Sequence, residues 1–295
     1  MKLQSIPVLA LACLFFQSCQ KIADDVTPIS SGTAKVNFIF KFDSTQVRLN
    51  AFGQPTTMPA ANAGQSPRFN LMSAHYVEMT PNAFTALGGG AILYKAPQVN
   101  TGGATAIDFS NSKFAGNNQV FLSVPVNSFA AGTYTWLRIS LAYQNYNIYM
   151  NSSGQVIDAT LASFIGFNTY LKSYKVKDST VTVNANRLQG YWALEGKFSG
   201  FGFLISGQAP PGATTVPNPI FATSPIPQGS CLVTGQFLTP LVVTGKETAD
   251  INIIVSLSTN KSFEWIDVDH NGTFDPDNGD TVIDMGIRGM IPKRQ

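Results

Sequence analysis

From Val36 onward the chain alternates between apolar and polar positions. In Val36-Asn37-Phe38-Ile39-Phe40-Lys41-Phe42, three phenylalanines fall on one side of an extended segment, because successive side chains of a strand point to opposite faces. Val120, Leu122, Val124 and Val126 repeat the pattern, and Pro125 marks an edge or a bulge there, since proline has no N–H to give a sheet ladder. Tyr134 to Tyr143 sets Leu137, Ile139, Leu141 and Tyr143 on one side. Phe164 to Val176 reads as another long β-like stretch, followed by Val181-Thr182-Val183, and Ile251, Ile253, Val255 and Leu257 close the series. Helical periodicity is hard to find beyond the first residues. Many short strands separated by Gly, Asn and Pro turns predict an all-β fold, an antiparallel β-sandwich of the immunoglobulin-like or jelly-roll-like kind.

Two stretches break the rhythm. Gln208 to Gly229 carries Pro210, Pro211, Pro217, Pro219, Pro225 and Pro227, which leaves no room for a regular element. It reads as a proline-rich loop, 208–229, within one domain spanning 35–295; a linker between two domains is the alternative. The other stretch is the start. Met1-Lys2 precedes an apolar run from Ile6 to Phe16, the layout of a secretory signal and well short of the ~20 residues that span a bilayer. Ser18 then Cys19 follow at the place where a lipoprotein signal is cut. Residues 1–18 are therefore expected to be removed and Cys19 to be diacylated, each buried methylene of the anchor contributing ~0.8 kcal/mol. An ordinary signal peptide with incidental cysteines is the competing reading. Residues 19–34 form a polar tether, and its early acidic pair, Asp24-Asp25, resembles the export signal of surface lipoproteins in some Gram-negative lineages. That favours the outer membrane and its outer face, with the periplasmic face as the alternative.

Charge and cysteine content narrow the classes further. Lys and Arg number 19 against 17 Asp and Glu, so nothing points to a nucleic-acid partner. Of the three cysteines, Cys13 leaves with the signal and Cys19 is acylated, so Cys231 has no partner for an internal bridge and reads as a buried thiol. Stability must come from a core.

The strongest local motif is Asp267-Val268-Asp269-His270-Asn271-Gly272-Thr273-Phe274-Asp275-Pro276-Asp277-Asn278-Gly279-Asp280. Oxygen side chains at relative positions 1, 3, 5 and 9 with glycine at 6 reproduce the first part of a calcium loop. A hard cation needs six to eight oxygens, and alternate residues of a tight loop turn theirs inward. The expected ligands are Asp267, Asp269, Asn271, the Thr273 carbonyl and Asp275. At position 12, where such loops place a bidentate Glu, the chain has Asn278, and Asp277 or Asp280 would substitute. The flanks, Phe263 to Ile266 and Thr281 to Met285, read as strands, so Ca2+ would sit in a loop between strands and act structurally. A solvated pair of Asn-Gly turns is the alternative, because turns favour Asp and Asn.

Material for catalysis is poor. The two histidines are His75 and His270. His75 and Glu78 fall on opposite faces of a strand, and Gly88-Gly89-Gly90 reads as a turn. No Gly-x-Ser-x-Gly, His-Glu-x-x-His or phosphate loop is present. A carboxylate-pair glycosidase is the one enzyme reading left open, because such pairs lie far apart in sequence. A binding role has one candidate surface: Tyr143, Asn145, Asn147 and Tyr149 share a strand face and offer flat rings and amides to a glycan. An ordinary strand with half-buried tyrosines is the plainer alternative.

Several segments together resemble a known arrangement. Ala131-Gly132-Thr133-Tyr134-Thr135-Trp136-Leu137-Arg138, Val36-Asn37-Phe38 with Arg48-Leu49-Asn50 and Gly53-Gln54-Pro55, Gly190-Tyr191-Trp192-Ala193-Leu194-Glu195-Gly196, and Ile251 to Leu257 are similar to MbnP-like, copper-associated β-sandwich domains. The resemblance implies a sandwich fold and, as an alternative function, metal handling in the envelope. The family's copper role rests on a modified tryptophan with nearby histidines, and no histidine of this sequence falls in place, so copper does not carry over. The chain also resembles surface lipoproteins of Gram-negative bacteria. The function expected from the whole is a non-enzymatic envelope lipoprotein that binds a glycan or a protein and is stabilised by calcium.

Overall fold

Phe38 and Phe40 are almost wholly shielded from solvent, and the strand that carries them is central to the first sheet. In this computed structural model residues 33–209 and 231–295 are described; Cys19 and almost all of the proline-rich loop lie outside them. In chain order the strands begin with β1 (Lys35–Asp43), β2 (Asn62–Gln65), β3 (Arg68–Thr80), β4 (Ala91–Lys95), β5 (Gln98–Val99) and β6 (Ala106–Asp108). Next come β7 (Phe114–Ala115), β8 (Gln119–Pro125), β9 (Gly132–Ser152), β10 (Gln155–Phe164), β11 (Asn168–Lys175) and β12 (Thr180–Leu188). The last are β13 (Tyr191–Phe198), β14 (Phe201–Gln208), β15 (Cys231–Val243), β16 (Ile251–Ser258), β17 (Phe263–Ile266), β18 (Thr281–Met285) and β19 (Met290–Arg294). The fold is all-β and sandwich-like, and residues from Thr33 to Gln295 fall in one compact unit.

The first sheet has the order β19-β16-β1-β8. Its inward side chains, Val36, Phe38, Phe40, Ile253, Val255 and Leu257, pack against Val77, Met79, Leu137, Ile139, Leu141 and Val233 of the second sheet. Each such buried apolar side chain contributes ~1.5–3 kcal/mol. Proline at the end of β8 agrees with its place on the sheet edge. Strict alternation fails in that strand. The register slips between Phe38 and Ile39, so Val120 is 51% exposed and Phe121 turns inward to stack on Phe40, ring centroids 4.5 Å apart.

The second sheet, β14-β13-β10-β9-β3-β4, also carries β15 on β9 and β7 on β3. Its spine is β9, 21 residues long. One side of β9 supplies Leu137, Ile139 and Leu141 to the first core and then, farther along, Tyr143 to a second core. There Tyr143 meets Phe164, Leu171, Tyr174 and Tyr191 beneath the third sheet, β12-β11-β6-β5. The other side supplies Tyr146, Ile148 and Met150 to a third core with Phe263, Trp265 and Phe274, beneath the small sheet β18-β17-β2. Ser153 and Gly154 both have positive φ, 49° and 76°, and form the two-residue turn that joins β9 to β10. The stretch from Phe164 to Val176 is two elements, the end of β10 and then β11. Ile165 and Gly166 both donate their N–H to the Ala142 carbonyl, and a side chain on Gly166 would meet Ile107 at 2.6 Å.

Two buried carboxylates fix loops to this frame. Glu195 accepts the N–H groups of Lys177, Asp178 and Ser179 at 2.8–3.2 Å and the Ser179 hydroxyl at 2.9 Å, so it locks the β11–β12 hairpin turn onto β13. Burial alone would raise its pKa; the donors outweigh burial and hold it below the usual carboxylate value. Glu78 accepts the N–H groups of Gly88 and Gly90 at 3.0 and 2.7 Å, so the glycine run is a turn whose donors face a protein carboxylate. Arg138, also fully buried, lies 3.6 Å from Glu78 and donates to the Ala83 carbonyl at 2.7 Å. His75 is buried, contacts Gln98 at 3.0 Å, and is pushed down to about 4 by burial and by Lys95.

Candidate metal centre

The Asp267–Asp280 loop connects β17 to β18, which pair antiparallel from Phe263↔Met285 to Ile266↔Thr281. It is pinned at its middle by Phe274, buried against Phe263 and Trp265 with centroids 5.1 and 5.5 Å away. Positive φ at His270 (57°), Gly272 (73°) and Gly279 (98°) gives the sharp reversals, two of them at glycine, where no Cβ opposes that conformation. The strand flanks and the turn glycines are those the sequence predicts.

Three carboxylates converge. Asp267, Asp269 and Asp280 each offer an oxygen, and these oxygens lie within 4.8 Å of one another. Oxygens on opposite sides of a calcium ion, each ~2.4 Å from it, stand about 5 Å apart, so the spread is that of one coordination sphere. Asp267 and Asp280 are buried, while Asp269 is exposed, so two of the carboxylates are fixed within the fold and the third faces solvent. Backbone donors orient the fixed pair. Asp280 accepts from Val268 N at 3.0 Å and Asp275 N at 2.8 Å, and Asp267 accepts from Asn271 N at 3.2 Å and Gly272 N at 2.9 Å.

The other expected ligands are engaged differently. The Asn271 amide oxygen accepts Thr273 N at 2.6 Å and its Nδ2 donates to Asp269 at 2.7 Å. Thr273 is exposed. Asp275 is buried and accepts Nδ2 of Asn151 at 3.0 Å and of Asn278 at 2.8 Å. Asp277 is turned toward the β9–β10 turn, accepting the Ser152 hydroxyl at 2.7 Å and Ser153 N at 3.0 Å. Of Asp277 and Asp280, Asp280 joins Asp267 and Asp269, and Asp277 clamps the loop to the neighbouring hairpin. Asn151 adds a second clamp, donating its backbone N–H to the Phe274 carbonyl at 2.8 Å.

Comparison with protein-family models, with curated proteins and with solved structures finds no match to this chain.

The clamp residues Asn151, Ser152 and Ser153 were not legible as part of the site. The available signal was the Ser153-Gly154 turn, which places them at the tip of a hairpin without naming what the tip touches. The proposed sugar face needs correction. Tyr143 is buried among aromatic rings, where burial pushes its hydroxyl up to about 12 against the opposing Asn145 hydrogen bond. Asn145 is also covered, donating to the Val176 carbonyl at 2.8 Å. Asn147 is half-buried and bonded to Asp158 and Thr160. Only Tyr149 is well exposed, at 51%, with the Arg68 guanidinium 4.7 Å above its ring. The four residues share a strand face, as alternation requires, but the third sheet covers the Tyr143 end of it.

Proposed function

We propose that this chain is a non-enzymatic, lipid-anchored envelope protein whose β-sandwich body is stabilised by a calcium ion held in the loop between β17 and β18. The convergence of Asp267, Asp269 and Asp280 within 4.8 Å carries the reading. Like charges this close repel, and a divalent cation turns the repulsion into attraction. The loop also covers the third core through Phe274, so ordering it orders apolar packing. The role is structural in this reading, and the ion is of the weak extracellular class, filled where calcium is abundant.

The thermal midpoint of the purified mature domain tests this. EDTA should lower it, and calcium in excess of the chelator should restore it by more than magnesium does; an unchanged midpoint sinks the calcium reading. The anchor is proposed from Ser18-Cys19 after the apolar run. Cys19→Ser should abolish incorporation of labelled fatty acid and move the protein from the membrane to the soluble fraction, and retained labelling would count against Cys19. The partner proposed for the anchored body is a glycan or protein at the cell surface. Exposed Tyr149, with the Arg68 guanidinium over its ring, is the part of the suggested binding face that remains open to it.

A further inference from the structure

The edge of a sheet shows a row of unpaired backbone N–H and C=O groups, and folds that stay apart from their neighbours blunt it with short strands, bulges, prolines or charges. Among the described residues the margins of these sheets follow that rule at every place but one. In the first sheet β19 carries Pro292, Lys293 and Arg294, and β8 ends in Pro125 and slips register. In the second, β4 slips register and ends in Lys95, and β15 has Pro240 at a break in its pairing. Elsewhere β12 slips register and holds Arg187, β18 slips register, and β2, β5 and β7 are only four, two and two residues long. The exception is β14. It has eight residues, none of them proline or charged, and it pairs with β13 without a break from Tyr191↔Gln208 to Phe198↔Phe201. Its outer edge meets no strand among the described residues. Apolar side chains stand open on both of its faces: Phe201 is 80% exposed and Ile205 50% on one, and Leu204 41% on the other.

We propose that β14 pairs antiparallel with β14 of a second copy of this chain, about a twofold axis at Leu204, and so joins the second sheets of two molecules into one. Charge selects the partner. A neutral edge does not repel its own copy, and it offers no ion pair to a charged peptide. Geometry selects the axis. Residues directly opposed across two strands share a sheet face, so the axis passes at a residue and not between two. An axis at Leu204 or at Ile205 uses most of the strand, and of these the Leu204 axis engages Phe201. It sets Leu204 against its copy on one face. On the other it sets Phe203 against Ile205, an aromatic and β-branched pair that symmetry makes twice. Phe201 then comes opposite Gly207, beside the Trp192 ring that already lies across that glycine, 2.7 Å from where a Cβ would be. The same device is used within the fold, where Phe203 lies across Gly196 on the neighbouring strand. Each copy spends its one unblunted edge in the contact, so assembly closes at two. The contact uses no residue of the metal loop.

Sedimentation of the whole mature chain tests this, with Cys19→Ser so that no acyl chain drives association. An edge contact of this length is small for a stable interface, so the mass should rise from one chain to two between about 1 and 300 µM and go no further. Leu204→Lys and Leu204→Glu each place like charges at the axis and should weaken the pair at least about tenfold. Equal amounts of the two variants, mixed, should associate at least about tenfold more tightly than either alone, because the axis then joins opposite charges. Circular dichroism of each variant confirms the fold, and the mixture reports on the contact even where a variant is less stable. A monomer at every concentration, whatever then covers the edge, would overturn the proposal. So would growth beyond two chains, a pair that both substitutions leave unchanged, or a mixture no tighter than its components. Failure here leaves the calcium reading untouched.

Discussion

Asp280 gives the sharpest handle on the loop, because it holds the backbone and faces the other two carboxylates. Consider Asp280→Asn. The aspartate accepts Val268 N through Oδ1 and Asp275 N through Oδ2, and its side chain is buried. Asparagine keeps one acceptor and turns an NH2 toward the other donor. One hydrogen bond to a charged group is lost, worth about 1.5–3 kcal/mol, and a buried N–H is left unpaired. That cost does not depend on a cation and should be measured in EDTA. The cation adds a second term. For a site with a dissociation constant of ~0.1–1 mM, ~10 mM calcium stabilises the folded wild type by about 1.4–2.7 kcal/mol. Asp280→Asn, with a carboxylate missing from the sphere, should gain only a fraction of this. Urea unfolding followed through Trp265, buried two residues before the loop, should therefore show a gap of about 1.5–3 kcal/mol in EDTA and about 3–5 kcal/mol in calcium. A domain of this size shifts its midpoint by about 2–4 °C per kcal/mol, so thermal melts resolve both gaps. An identical gap in the two buffers would show that Asp280 does not ligate calcium. A gap below about 0.5 kcal/mol in EDTA would refute the claim that its hydrogen bonds fasten the loop.

Glu195→Gln should cost about 1.5–3 kcal/mol at neutral pH, because the amide keeps one acceptor oxygen for a turn that presents three N–H groups and a hydroxyl. The carboxyl is held below its ordinary value in the fold, so its contribution is present above the unfolded pKa of about 4.3 and is lost as pH falls through the folded value. The wild-type and Gln proteins should accordingly converge in stability as pH drops below about 5, and a gap that widens on acidification would contradict this. Arg138→Ala should destabilise by about 3–5 kcal/mol, leaving Glu78 buried and without its ion-pair partner. Urea unfolding of the variant checks it, and adding Glu78→Gln on the same background should recover part of the loss.

Alternation identified β1, β8, β9 and β16 because each turns one covered face to the first core, and the two-residue period carries that information directly. Phe38, Phe40, Leu137, Ile139, Leu141 and the Ile251–Leu257 series sit where the pattern puts them. The pattern misleads where a single residue resets it. The slip beside Ile39 exchanges Val120 for Phe121, and the turn at Gly166 divides one apparent strand into two. Period also cannot name the covering layer. Leu141 and Tyr143 are two apart on one side of β9, yet they belong to different cores, so the sequence leaves Tyr143 open between a binding face and a half-buried strand position, and the fold makes it an interior residue. At the loop, spacing captured Asp267 and Asp269 because a tight turn brings alternate residues together. It gave no preference between Asp277 and Asp280, since that depends on the Ser152-Ser153 turn, more than a hundred residues earlier in the chain.

The pairing of β1 with β16 sets a timetable for folding. The two strands run parallel, Val36 against Ile251, and the Asn37 and Asn252 side chains that bond across them are 215 residues apart in sequence. Closing so long a loop costs entropy before the contact returns any stability, and such topologies fold slowly. The phenylalanine-bearing β1 is thus among the first strands to leave the ribosome, and its parallel neighbour among the last. Until β16 arrives, one edge of β1 has only its main-chain donors and acceptors to show. A molecule emerging amino terminus first would carry that open edge and its apolar face throughout synthesis. Its yield should therefore depend on whatever shields β1 during that interval, and truncation ahead of Ile251 should leave a soluble fold out of reach even though every strand of the second sheet is present.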